Sequence, residues 1–99
     1  MHLLILLALA SAAETFNGEV VKVKDGDSIV VNRDDGQIEI RLRDIDCPES
    51  EQPYGQQAKQ QTSTLCLRKA VTVNATGQDR YGRTLAFVTL PNGKQLNRE

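Results

Sequence analysis

Between Gln37 and Arg43 the chain alternates without a break. Ile38, Ile40 and Leu42 fall on one side, while Glu39, Arg41 and Arg43 fall on the other. A period of two fits a strand with one face buried and one wet, and no helix can segregate residues in that order. The run is entered through Asp34-Asp35-Gly36, a tight-turn signal, preceded by a second strand, Ser28 to Arg33 (SIVVNR). Asp25-Gly26-Asp27 is a further turn, and before it Phe16 to Lys24 is a Val-rich strand interrupted only by Asn17-Gly18. Three strands joined by two tight turns are predicted to form an antiparallel meander.

The rest of the chain has to complete that sheet. Asp44 to Pro53 is an irregular loop carrying Pro48 and Pro53. Gly55 to Leu67 lacks proline and places Ala58, Thr62, Leu65 and Cys66 on one helical stripe. Ala70 to Ala75 alternates as a fourth strand, Gly77 to Gly82 reads as a turn, and Thr84 to Leu90 is a fifth strand. Pro91-Asn92-Gly93 turns the chain again, and Leu96 to Glu99 reads as the beginning of a helix. With 99 residues there is room for one domain. The expected class is mainly β (α+β): a five-stranded OB-fold barrel with a helix between strands 3 and 4, whose closure removes exposed sheet edges.

Composition narrows the core and excludes several classes. The only aromatics are Phe16, Tyr54, Tyr81 and Phe87, so Val, Ile, Leu and Ala must build the interior. Two cysteines, Cys47 and Cys66, rule out a disulfide-dense scaffold, and with His2 as the single histidine they cannot form a zinc cage. Pairing and free thiols both remain open for them. At the N-terminus, Leu3 to Ala10 (LLILLALA) is too short to span a bilayer but suits the apolar region of a signal peptide, with an A-x-A-like site at Ala10-Ser11-Ala12. The expected organisation is a signal peptide over 1–12 and one domain over 13–99, secreted or periplasmic, monomeric, with no stable membrane association.

Chemistry concentrates in two places. Asp44, Asp46, Glu49 and Glu51 lie within eight residues, and Asp25 and Asp27 flank the first turn. Carboxylates this dense repel one another unless a cation joins them, and a hard divalent ion is the natural one. Each cluster alone reads as ordinary solvated loop acid. Two arginines change the balance: Arg41 on the polar face of the third strand, and Arg83 in the compact turn Asp79-Arg80-Tyr81-Gly82-Arg83. Arginine offers phosphate a permanent, bidentate charge. Phosphoryl transfer needs little beyond positioning and charge neutralisation. Each arginine alone would read as a surface solubiliser.

Four segments together carry a resemblance. Asp25-Gly26-Asp27-Ser28, Ile40-Arg41-Leu42-Arg43-Asp44-Ile45-Asp46-Cys47-Pro48-Glu49, Gln52-Pro53-Tyr54-Gly55 and Asp79-Arg80-Tyr81-Gly82-Arg83-Thr84-Leu85-Ala86 resemble the thermonuclease family, that of staphylococcal (micrococcal) nuclease. The likeness runs from about Phe16 to Asn97. It implies an OB-fold barrel and a calcium-dependent endonuclease that hydrolyses DNA and RNA to leave 3′-phosphate ends. By the same resemblance Asp27 and Asp46 hold Ca2+ with the backbone carbonyl of Cys47, and Asp25 stands behind them. Glu49 acts as general base or orients the attacking water, Arg41 and Arg83 grip the scissile phosphate, and Arg80 and Tyr81 meet a further phosphate. Cys47 stands where the best-known member has Thr, which a backbone ligand tolerates, and Ser28 replaces the commoner Thr. Family members continue past Leu96-Asn97 into helices that pack on the barrel, so the expectation for 13–99 is a C-terminally truncated domain. The alternative function is a non-catalytic nuclease-like module that binds nucleic acid or protein; retention of Arg41, Glu49 and Arg83 favours the enzyme.

The net charge of −1 does not argue against a polyanionic substrate. Residues 1–57 carry eleven acids and five bases, and residues 58–99 carry seven bases and two acids. The acid excess therefore sits with the proposed cation site, and the remainder of the chain is basic.

Overall fold

The computed structural model describes residues 14–49 and 51–98. The apolar N-terminal run and its cleavage motif lie outside the described residues. The elements are β1 (Glu14–Asp25), β2 (Ser28–Arg33), β3 (Gly36–Leu42), α1 (Gly55–Cys66), β4 (Ala70–Gln78), β5 (Thr84–Thr89) and a single 3₁₀ turn at Leu96–Arg98. The strands close into a barrel in the order β1-β2-β3-β5-β4. This is the expected five-stranded OB-type barrel, with its helix between strands 3 and 4.

Four of the five pairings are antiparallel: the two of the β1-β2-β3 meander, the β4–β5 hairpin, and β1 against β4. The fifth is parallel: Ile40, Arg41 and Leu42 lie beside Thr84, Leu85 and Ala86. That short parallel seam shuts the barrel and places the start of β5 against the end of β3. The crossover between the two strands comprises α1 and β4, long enough for a parallel connection.

The alternation read in β3 is realised. Ile40 and Leu42 are buried, Ile38 packs against the core, and Arg41 stands on the opposite face. Val20, Val23, Ile29, Val31, Val71, Val73, Ala86 and Val88 complete the barrel interior. Each of the valine, isoleucine and leucine side chains stabilises the fold by roughly 1.5–3 kcal/mol on burial. Helix α1 packs against β1 through Gly55, Thr62 and Cys66, with Leu65 alongside, so the predicted stripe is the one that is covered. Cys47 and Cys66 are both free thiols.

Two strand limits differ from expectation by two residues or more, and the others by one at most. β4 runs on to Gln78 where a turn from Gly77 was expected, because Gly77 and Gln78 pair with Leu85 and Thr84 beyond a bulge. The bulge inserts one residue and bends the strand, and the turn proper is shortened to Asp79–Arg83. β1 likewise starts earlier, at Glu14, because Glu14 and Thr15 pair with Ala75 and Asn74. Neither extension alternates strongly in sequence; each exists because a partner strand is there to pair with.

Candidate active site

The turn between β1 and β2 has little room. A Cβ on Gly26 would sit 2.8 Å from Cβ of Ala58 and 2.9 Å from Cβ of Cys47, so only glycine lets helix, turn and acid loop meet. Thr62, buried on α1, donates its hydroxyl proton to the Gly26 carbonyl at 2.7 Å and fixes the turn from below. Asp27 follows. It is 7% exposed, and its carbonyl accepts from the Leu42 N–H at 2.8 Å. Its carboxylate is thereby aimed at the segment that leaves β3.

Arg41 organises that segment. Its Nη1 donates to the carbonyls of Leu42 at 2.7 Å and Ile45 at 2.8 Å, curling the chain after β3 around the guanidinium. Its Nη2 lies 3.3 Å from Asp27 Oδ2 and 3.6 Å from Asp46 Oδ1. Both carboxylates therefore converge on one nitrogen. Asp27 Oδ2 also accepts from the Cys47 N–H at 3.1 Å, tying the acid loop to the turn. Asp46 itself projects into solvent, its side chain 95% exposed. The backbone of Asp44 is left-handed, at φ 65°, where the chain reverses. Further along, the Glu49 N–H donates to Gln52 Oε1 at 2.7 Å while the Gln52 N–H returns to the Glu49 carbonyl, locking that corner.

Arg83 enters from the β4–β5 turn. Asp79 accepts from the backbone N–H groups of Tyr81 and Arg83, both at 2.9 Å, and from Arg83 Nε at 2.8 Å. The outer end of the same guanidinium reaches Ser28, Nη1 donating to Oγ at 3.2 Å. Ser28 is the cross-strand partner of Arg41. The two arginines thus stand on either side of one buried serine, brought together by the parallel seam of β3 and β5. Partial desolvation raises the Asp79 carboxyl, but the hydrogen bonds from Arg83 and Tyr81 outweigh it and hold the group below the ordinary carboxylate range.

The result is an open cleft of about 670 Å³ lined by Asp25, Asp27, Arg41, Asp46, Cys47, Pro48, Glu49, Gln52, Pro53 and Arg83. Every residue expected to work on the scissile phosphate or to hold a cation lines it. Arg80 and Tyr81 do not. They occupy the turn beside Arg83, Tyr81 is 71% exposed, and the guanidinium carbons of Arg80 and Arg83 lie 5.2 and 5.8 Å from the centre of its ring. Cys47 presents its backbone to Asp27, and burial, then the Asp27 charge, push its thiol upward. Among the described residues no three His, Cys, Asp or Glu side chains form a ready metal cage.

Sequence reasoning missed four supports: Asp79, Ser28, Thr62 and Asn97. Asp79 left a readable trace, an acid four residues before an arginine within one turn. Asn97 left none. It is buried, accepts from the Val88 N–H at 2.9 Å and donates to the carbonyls of Arg43 at 2.8 Å and Ala86 at 3.1 Å. Its partner Arg43 is 54 positions away.

Comparison with known proteins identifies the family. The family model for staphylococcal nuclease homologues matches residues 39–99, a span holding Arg41, Asp46, Cys47, Glu49, Arg80, Tyr81 and Arg83. A micrococcal nuclease of Shigella flexneri is 44% identical over 87 residues, covering 88% of this chain and 50% of that protein. An uncharacterized endonuclease of Escherichia coli is 42% identical over 81 residues, 82% of this chain and 53% of its own length. A thermonuclease of Staphylococcus hyicus is 38% identical over 89 residues, 82% of this chain and 52% of its own length. The chain spans about half the length of these relatives. By fold, by the residues gathered in one cleft and by these matches, the chain belongs to the staphylococcal nuclease homologue family.

Proposed function

We propose that the protein is an endonuclease that hydrolyses phosphodiester bonds of DNA and RNA with calcium as cofactor, leaving 3′-phosphate ends. The observation that carries this reading is the pair Arg41 and Arg83, set about Ser28 in a cleft whose other charged residues are carboxylates. Such a cleft binds a phosphate by its cations and activates water by its acids, which is what cleavage of a phosphodiester requires.

The contacts support the roles that the resemblance implies. Arg83 is held at Nε by Asp79 and at Nη1 by Ser28, which fixes the guanidinium where it lines the cleft. Arg41 keeps two short bonds to carbonyls, but its Nη2 contacts at 3.3 and 3.6 Å are longer than the 2.7–2.9 Å usual for charged pairs. That nitrogen can exchange a carboxylate for a phosphate oxygen. The two guanidinium groups then neutralise the charge that builds on the equatorial oxygens of the five-coordinate transition state. Glu49, on the corner fixed by Gln52, takes the proton of the attacking water or orients that water. Oxygen of water bonds to phosphorus, the bond from phosphorus to the 5′ oxygen breaks, and that oxygen leaves with a proton from solvent. Arg80 and Tyr81, exposed beside Arg83, meet a neighbouring phosphate of the chain.

The donor set suits a hard cation. Asp27 and Asp46 meet at the Arg41 guanidinium and Asp25 lines the same cleft; with that guanidinium turned to a phosphate, these carboxylates, the carbonyl of Cys47 and water would supply the 6–8 oxygens that calcium accepts. When bound, calcium would offset the clustered negative charge and polarise the phosphate for attack. Export is part of the same proposal, through the apolar N-terminal run.

Digestion of single-stranded DNA by the purified chain tests this reading. Glu49→Ala or Arg83→Ala is expected to lower turnover by orders of magnitude while the chain still melts cooperatively. Near-normal activity in either variant would remove that residue from the mechanism.

A further inference from the structure

A second groove, of about 500 Å³, opens on the outer face of the barrel and is lined by Val21, Lys22, Lys24, Val30, Gln37 and Arg68. Three of these six side chains are cationic and none is acidic. Two irregularities of the backbone build it. The register of β1 against β2 slips between Val20 and Lys22, a bulge that sets Val21 and Lys22 side by side in place of strict alternation. Arg68 sits in the left-handed region at φ 67°, its N–H bonded to the Val20 carbonyl at 2.8 Å, which turns the start of β4 back over β1. A non-glycine residue in that conformation is held there by its surroundings.

The groove adjoins the cleft. Along β1, Lys24 lines the groove and the next residue, Asp25, lines the cleft. Along β3, Gln37 lines the groove and Arg41 the cleft; they share a face four residues apart, about 13 Å at roughly 3.3 Å per residue. Glu39 lies between them on that face and is matched by Lys24, Nζ to Oε1 at 3.2 Å. Lys22 and Arg68 make no ion pair with an acid among the described residues.

We propose that this groove is a phosphate-binding exosite for the nucleic-acid strand whose scissile phosphate occupies the cleft. Lys22 and Arg68 contact the backbone a few nucleotides from the cut, and the half-buried Val21 and Val30 give a base or ribose an apolar floor. Single strands lie on OB folds over sites of roughly 4–16 nucleotides, longer than the cleft alone provides. The identity of the polymer rests on the nuclease reading; the groove and its charge do not.

The test is equilibrium binding of a fluorescent oligothymidylate of about 20 nucleotides to the full chain, followed from about 50 to 200 mM salt. Each phosphate contact on a single strand contributes roughly 0.7 to the slope of log affinity against log salt. The variant Lys22→Gln/Arg68→Gln is expected to flatten the slope by about 1.4 and to bind the oligomer about tenfold more weakly at low salt. Lys22→Gln alone is expected to flatten it by about 0.7. Thymidine dinucleotide, too short to reach the groove, is expected to bind both variants like the unaltered chain. Lys59→Gln/Lys94→Gln removes equal charge elsewhere and is expected to leave the slope in place. An unchanged slope in the Lys22/Arg68 variant would overturn the exosite, as would an equal effect from the Lys59/Lys94 variant. So would retention by anionic phosphatidylserine vesicles without retention of the oligomer. Binding with the expected dependence but no cleavage in calcium would keep the exosite and remove the nuclease.

Discussion

Asp79 decides where Arg83 points. A carboxylate that accepts two backbone N–H groups and the guanidinium Nε of the same turn leaves that arginine one way to face. An arginine released from that anchor no longer meets the transition state in a single pose, and lost positioning of this kind is read as a lower rate. Asp79→Asn is therefore expected to lower kcat and kcat/KM together by tenfold or more, measured by steady-state cleavage of an oligonucleotide. The pH dependence has a definite sign. The Asp79 pKa is lowered in the fold from 3.8, so its contribution is present above that value and is lost as pH falls through the depressed one. Acid melts of Asp79→Asn should lack that final loss. Cys66 gives the opposite edge. Burial pushes its thiol up to about 11 from 9.0, with Lys69 opposing weakly, so the unfolded chain ionises first and stability declines from about pH 9 to about pH 11. Replacing Cys66 by Ala should remove that alkaline decline in thermal melts. Iodoacetamide should modify Cys47 alone in the native chain and both thiols in denaturant, as mass spectrometry would read.

At the level of elements, the site stands where three connections meet: the β1–β2 turn, the loop leaving β3 and the β4–β5 turn. Asn97 clamps the end of β3 to β5 from the 3₁₀ turn. Asn97→Ala would strand the Val88 N–H and the Arg43 carbonyl, while the Ala86 carbonyl keeps the Arg43 N–H, at a cost of about 3 kcal/mol. At roughly 4–8 °C per kcal/mol for a chain of this size, the midpoint of a thermal melt should fall by more than about 10 °C. A melt within a few degrees of the unaltered protein would show that the clamp does not matter. The strands themselves were readable because each carries its own instruction. β3 alternates, β2 has its turn residues on both sides, and α1 repeats at helical spacing. Strand ends were not readable, since Gly77 and Gln78 become strand only by meeting Leu85 and Thr84. Asn97 belongs with them: its meaning lies in backbone groups far along the chain, which no local pattern announces.

For the whole molecule, closure of the barrel is what makes the site. Arg41 and Arg83 are 42 positions apart in sequence and become neighbours only because β3 and β5 pair in parallel. The resemblance could assign both residues to one phosphate; the shared serine and the support of Asp79 needed the fold. Charge is also divided in space, but on a different line from its division along the chain, since Lys22 and Lys24 come from the acid-rich first half. Carboxylates gather at the cleft, while Lys22, Lys24 and Arg68 gather on the face beside it. The chain spans about half the length of these relatives, so activity is to be measured on the chain itself. The most direct measurement is digestion of single-stranded DNA by the purified chain in calcium and in EDTA, with the end groups of the products determined. The expected result is cleavage in calcium, none in EDTA, and 3′-phosphate ends. Cleavage that survives EDTA, or no cleavage by a chain that melts cooperatively, would contradict the assignment of the cleft as a calcium-dependent nuclease site.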